Sequence, residues 1–206
     1  MQVRHVTRRD NAIAARPRDE ISGLSVDPDQ SLVWRRSIPL APDFELRQGE
    51  AVFGEMEPAS QDDMDATGEC LGRALELRLD SGLFRGVRVE SRLSETDTDG
   101  PRFQGLLCGW GRIRTTQGEE LLWRHAFSRV YDHVLIDSGG EELLRLRPTF
   151  LRFGRTETRV ILTSNGWNRQ DLAELLLLTW FLRAHAEARG RRIFKRSKKH
   201  EGNDFP

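Results

Sequence analysis

Leu172-Ala-Glu-Leu-Leu-Leu-Leu-Thr-Trp-Phe-Leu182 decides the fold, because a helix built from it cannot keep its apolar side chains on one face. At about 100° per residue, Leu172, Leu175, Leu176, Trp180 and Leu182 point to one side and Leu177, Leu178 and Phe181 to the other. A helix that is apolar all round has to be enclosed. The stretch spans about 16 Å, roughly half of a bilayer's hydrocarbon core, and Glu174 interrupts it. The enclosure is therefore expected to be protein rather than lipid. Asn168, with Asp171 three residues on, is placed to cap the start, and Gly190 to end it, which predicts a central helix over 168–189.

The clearest candidate for the enclosing material lies upstream. Leu75, Leu77 and Leu79 alternate with Glu76, Arg78 and Asp80; Ser81-Gly82 reads as a turn; Val87 and Val89 then alternate with Arg88 and Glu90. Such a hairpin has one apolar and one charged face, as in a sheet with one wet side. Before it, Leu32-Val33-Trp34 and Ile38, then Phe44-Glu45-Leu46, a turn at Arg47-Gln48-Gly49, and Ala51-Val52-Phe53 predict further strands. Met56 to Gly68 reads as a solvated acidic loop, since Asp62, Asp63 and Asp65 lack the glycine and terminal glutamate spacing of a calcium site.

Downstream, Phe103 to Ile113 carries Gly105, Gly109 and Gly111, which in a strand pattern mark bulges or bends. Leu121-Leu122-Trp123, then Val134-Leu135-Ile136 joined by Asp137-Ser138-Gly139-Gly140 to Leu143-Leu144-Arg145-Leu146, predict two more hairpins, and Arg159 to Thr163 a last strand. No helix is expected before the final one. An antiparallel sheet with one apolar face and a helix apolar all round fit together if the sheet curls around the helix. The expected architecture is mainly β: a closed antiparallel β-barrel over 31–190 enclosing the hydrophobic C-terminal helix. A flexible lead-in, 1–30, and a basic flexible tail, 191–206, flank it.

The 206 residues carry 32 basic and 32 acidic side chains, so no global field selects nucleic acid or membrane, and a partner has to be argued from local patches. Lys195, Lys198 and Lys199 are the only lysines; an arginine excess of this kind fits a GC-rich bacterial genome as readily as phosphate recognition. Cys70 and Cys108 have neither CxxC spacing nor a histidine cluster beside them, so neither a disulfide framework nor a metal site is expected, and no motif calls for a cofactor. With no apolar leader and no transmembrane span, the expected location is cytoplasmic, or peripheral at the membrane.

The succession of hairpins from Ser31 to Thr163, the repeated apolar strand and glycine turn in Leu121-Leu122-Trp123 and Val134 to Gly140, and the terminal Asp171 to Trp180 resemble the tubby C-terminal-like superfamily. That superfamily includes the LURP-one-related proteins and the phospholipid scramblases. The resemblance covers about three quarters of the chain and implies a barrel of about a dozen strands threaded by a helix. It also implies lipid binding or membrane association, with no binding residue that transfers to a position here.

Two sets of residues carry candidate chemistry. His125 and His133 sit on neighbouring predicted strands with Asp132 adjoining, a conceivable acid–base pair at the barrel mouth, although no nucleophile or metal motif accompanies them. After Gly190 comes Arg191-Arg192-Ile193-Phe194-Lys195-Arg196-Ser197-Lys198-Lys199-His200. In it Arg191, Arg192, Lys195, Arg196, Lys198 and Lys199 form a basic cluster with apolar insertions, a candidate lipid- or anion-binding patch. Trp34, Trp110, Trp123, Trp167 and Trp180 read as core or rim aromatics, and His185 as a helix-dipole partner. The sequence favours a non-enzymatic cytosolic binding module for an anionic phospholipid surface or a protein partner. The alternatives are an enzyme with a site at the barrel mouth and nucleic-acid binding through the tail.

Overall fold

The computed structural model describes residues 31–36, 43–58, 65–82, 86–126, 129–150 and 156–200. The lead-in 1–30, together with Ile38, Asp62 and Asp63, lies outside the described residues. Alternating apolar positions build a run of short strands: β1 (Leu32–Arg36), β2 (Phe44–Gln48), β3 (Ala51–Pro58), β4 (Asp65–Cys70), β5 (Arg73–Gly82) and β6 (Gly86–Leu93). They continue as β7 (Thr98–Asp99), β8 (Arg102–Leu107), β9 (Trp110–Arg114), β10 (Glu120–Ala126), β11 (Arg129–Ile136), β12 (Glu142–Phe150) and β13 (Thr156–Leu162). A single turn, α1 (Ser164–Trp167), and the long α2 (Leu172–His200) complete the chain.

The strands form one antiparallel sheet. Its order is β5-β4-β3-β2-β1-β13-β12-β11-β10-β9-β8-β6, and the pairing of β5 with β6 closes it into a 12-strand barrel. Strand β7 extends the β8 side of β6, separated from β8 by Gly100-Pro101, where Ser91 Oγ donates to the Pro101 carbonyl at 2.5 Å. Every residue from Asp171 to Arg183 is buried, so the helix does run inside the barrel. Its core face stacks Trp180 on Trp34 (centroids 5.3 Å apart, planes 9° apart) and sets Phe44 edge-on to Trp180. Eight large apolar side chains of α2 are buried. At about 2 kcal/mol each they are worth on the order of 15 kcal/mol before entropy, as much as the net stability of a whole domain.

Three expectations are corrected. The stretch Met56 to Gly68 is not all loop: β3 runs to Pro58, and β4 starts at Asp65. On β4 the inward positions are Ala66, Gly68 and Cys70, too small to show as an apolar alternation. They are small because the helix presses there; a Cβ on Gly68 would stand 2.8 Å from Leu177 Cδ2. Asn168 does not cap α2. It ends α1, whose N-cap is Thr163, while the Asp171 carbonyl accepts the first bond of α2 from Leu175 N at 3.0 Å. Nor does the helix stop before Gly190. It continues to His200, because a glycine costs a helix only about 1 kcal/mol relative to alanine and no proline stands between it and His200. The stretch read as a tail therefore continues the helix as far as His200.

Smaller shifts have the same origin in turn geometry. The β5–β6 turn falls after Gly82, with Gly82 paired to Gly86. Phe103 to Ile113 folds back on itself at Cys108-Gly109 to give β8 and β9, and Gly105 pairs with Gly111 under the Phe103 ring, where a Cβ on either would collide.

Candidate functional site

Strand periodicity and register sort the charges that the composition balances. Outward positions on β8 to β13 hold Arg102, Arg112, Arg114, Arg124, Arg147 and Arg159, whereas those on β2 to β5 hold Glu45, Glu55, Glu57, Glu69, Glu76 and Asp80. Arginines predominate on the outside of β8 to β13, beside Glu120, Asp132 and Glu157, and carboxylates on the outside of β2 to β5, beside Arg47 and Arg78. Across the strands, like charges face each other: Arg102 opposite Arg114, Arg147 opposite Arg159, and Glu45, Glu55 and Glu69 in one row. Such pairs oppose folding. At the closing β5–β6 seam the arrangement is the reverse, with Glu76 opposite Arg92, Arg78 opposite Glu90 and Asp80 opposite Arg88.

The exposed large apolar residues fall on the arginine-rich side: Leu106 (71% exposed) on β8, Trp110 (56%) on β9, Tyr131 (65%) on β11 and Ile161 (39%) on β13. Leu106 and Trp110 flank the β8–β9 turn, next to the end of the barrel from which α2 emerges. At that mouth the inward residues of β10 and β11 are His125 and His133, which are directly paired across the strands with ring centroids 4.1 Å apart. His133 is buried and stacked on Trp123 (5.1 Å, 17°), whose Nε1 donates to the Cys108 carbonyl at 2.8 Å. This bond fixes the β8–β9 turn over the histidine pair. Gly109 closes the contact: a Cβ there would lie 2.8 Å from His125 Nε2 and 3.2 Å from His133 Nε2.

Beneath the pair lies Arg183 of α2, buried, with long bonds. Its Nε donates to Thr158 Oγ1 at 3.3 Å, and one terminal nitrogen reaches the Tyr131 carbonyl at 3.5 Å and His133 Nδ1 at 3.4 Å. Glu187 stands 3.8 Å away along the helix. His133 Nδ1 stands 3.4 Å from the guanidinium, and its Nε2 has no partner among the described residues. Burial, followed by His125 and Arg183, pushes the His133 imidazole down to about 3, against a smaller upward pull from a hydrogen bond to the Tyr131 backbone. Burial also lowers Arg183 from its ordinary value, opposed by Glu187 and Asp132.

The conceivable acid–base pairing of Asp132 with His133 is absent for a geometric reason: neighbours on a strand point to opposite faces. Asp132 faces outward and accepts from Arg147 Nε at 3.0 Å and from Arg145 at 3.4 Å. Arg183, the group that does meet His133, is fifty residues away on the helix, beyond the reach of any local signal. Cys70 and Cys108 are buried thiols, and burial pushes Cys70 up to about 12. Among the described residues no three His, Cys, Asp or Glu side chains gather closely enough to hold a metal ion. No helix among them is long and apolar enough to cross a membrane. The side chains of Arg191, Arg192, Lys195, Arg196, Lys198 and Lys199 lie outside the described residues. No protein-family model, curated protein or solved structure matches this chain.

Proposed function

We propose that the protein is a non-enzymatic binding module that docks the arginine-rich side of its barrel wall on an anionic phospholipid surface. The observation that carries this reading is the coincidence of two independent segregations. The outward arginines and the exposed apolar residues, including Trp110 and Leu106 on one hairpin, occupy the same half of the barrel. Arginines neutralise headgroups while a tryptophan enters the boundary between headgroup and acyl chain. With the lumen filled by α2, binding falls to the outer surface and rim. Arg191, Arg192, Lys195, Arg196, Lys198 and Lys199 add charge beyond the mouth.

Co-sedimentation with phosphatidylserine-containing and with neutral vesicles, at two salt concentrations, tests the proposal. Anionic-selective, salt-sensitive binding is expected. At about 1 kcal/mol per arginine, Arg112→Gln with Arg114→Gln weakens partitioning about thirtyfold. Glutamine at the six basic positions from Arg191 to Lys199 weakens it further. Buried Trp34, Trp123 and Trp180 contribute a constant background, so a blue shift on vesicle binding that vanishes in Trp110→Phe places that residue in the interface. Equal binding to neutral vesicles, or none to either kind, refutes the proposal and turns attention to a protein partner.

A further inference from the structure

The outer face of the wall carries an apolar strip that the barrel core does not explain. Ala126, Val134 and Ile136, with Leu122 against them, form a hydrophobic cluster separate from the core. Their strand neighbours Trp123, His133 and Leu135 point inward, so by period two the cluster lies on the outside of β10 and β11. The outer face of an antiparallel sheet closed around a core ordinarily meets water. Here Val134 is 2% and Ile136 8% exposed, and Asp132 beside them is buried too. Arg124 and Arg145, directly opposite Val134 on β10 and β12, shield it from the sides. Ile161 continues the same row on β13, opposite Arg145, and is partly exposed. Arginines frame the strip: Arg145 and Arg147 on β12, and exposed Arg159 on β13 opposite Arg147. Asp132 and Glu142 offset part of that charge, since both bond Arg145 and Asp132 also bonds Arg147. A segment fitted to this face needs apolar side chains flanked by carboxylates.

The chain carries such a segment where it enters the barrel. Asp19-Glu20-Ile21-Ser22-Gly23-Leu24-Ser25-Val26-Asp27-Pro28-Asp29, outside the described residues, has four carboxylates, three large apolar side chains and no basic residue. It runs into β1, where Leu32 pairs with Val160, so the chain arrives beside Ile161. From β1 across β13 and β12 to β11 is about 14 Å at the usual strand spacing. At about 3.3 Å per residue Val26 and Leu24 extend about 16 and 23 Å from Ser31, enough to reach Val134. We infer that residues 19–29 form an acidic strap across the outer face of β11 to β13. Ile21, Leu24 and Val26 lie along the strip from Ile161 to Val134, and the carboxylates lie among Arg145, Arg147 and Arg159. Docked there, the strap covers part of the wall that the membrane reading assigns to anionic lipid, and the two compete. That consequence rests on the membrane reading; the strap itself does not.

A nitroxide on Ser25→Cys in the full-length protein tests the strap, because Cys70 and Cys108 are buried thiols and leave the new one to react. Methyl resonances of Ile161, Val134 and Ile136 should broaden more than those of Leu77 and Leu79 on β5, across the barrel. The difference should vanish when Asp19→Asn, Glu20→Gln, Asp27→Asn and Asp29→Asn are combined, and again in Leu24→Ser with Val26→Ser. Neither variant alters a residue of the barrel. Equal broadening of both groups, or none, overturns the inference. Broadening that passes from a labelled chain to an unlabelled one mixed with it assigns the face to a second copy and also overturns the strap. On phosphatidylserine vesicles Leu24→Ser with Val26→Ser, which leaves the charge unchanged, should bind about tenfold more tightly, the factor imposed by a strap docked about nine-tenths of the time. Equal affinity of the two proteins overturns the competition. Absence of vesicle binding by both refutes the membrane reading, while the broadening alone judges the strap.

Discussion

Replacing His133 with Phe should remove a specific pH dependence of stability. The imidazole titrates near 6.5 in the unfolded chain and is held down to about 3 in the fold. Between those values the unfolded state binds a proton that the folded state refuses, so stability falls as pH drops, and the contribution is fully present only above 6.5. From pH 7.5 to pH 5 the loss is about 2 kcal/mol, taking 1.36 kcal/mol per pH unit below the unfolded value. His133→Phe keeps a ring against Trp123 and gives up the bond from Arg183, so it should be less stable at pH 7.5 by about 1–3 kcal/mol. Urea unfolding of both proteins at half-unit steps from pH 5 to 7.5 reads the difference, with carboxylates contributing equally to each. Wild-type and variant lines should converge by about 2 kcal/mol toward pH 5. Parallel lines would refute the neutral, buried imidazole.

Three further outcomes are expected. Burial and then Asp171 raise Glu174 above the usual carboxylate range, while Arg73 pulls it down, and its Oε2 has no partner among the described residues. Glu174→Gln should therefore stabilise the fold by about 1 kcal/mol at pH 8, and by less as the pH falls and the raised carboxyl takes up its proton; chemical denaturation across the pH range checks this. Gly68→Ala should cost about 1–3 kcal/mol, because its methyl meets Leu177, and most of that cost should disappear in a Leu177→Ala background, as measured by a double-mutant cycle. Leu177→Asp places a charge at a fully buried position of α2 and should leave no folded protein by near-ultraviolet circular dichroism; a folded variant would overturn the threaded helix.

The barrel and its enclosed helix could be read from the sequence because both depend on side-chain periodicity. Leu172 to Leu182 has no polar face, and Leu75 to Val89 alternates without interruption. Strand β4 escaped for the opposite reason, since Ala66 and Gly68 are small where Leu177 needs room. Gly190 misled because glycine weakens a helix without stopping it when arginines and lysines continue beyond. The histidine pair followed from neighbouring strands. Period two turns Asp132 away from His133, a signal that the sequence itself carries. Arg183 was hidden, because the register of α2 against β11 and β13 is set by packing over fifty residues of separation. The bias of charge around the wall was hidden too. Net neutrality conceals it until strand order brings β8 to β13 together on one side.

The order in which the chain is made gives the enclosed helix a biological consequence. Strand β1 waits for β13 to pair with it, Leu32 opposite Val160, and the residues that fill the lumen come later still. A ribosome releases the wall before its contents, so the nascent protein passes through a stage with an open, apolar-lined sheet and nothing to close around. The barrel can then close only after α2 has left the ribosome, and chaperones would meet the sheet before its contents. A nonsense mutation anywhere before Leu172 removes the core, and such a product should go to the proteases rather than survive as a shortened barrel.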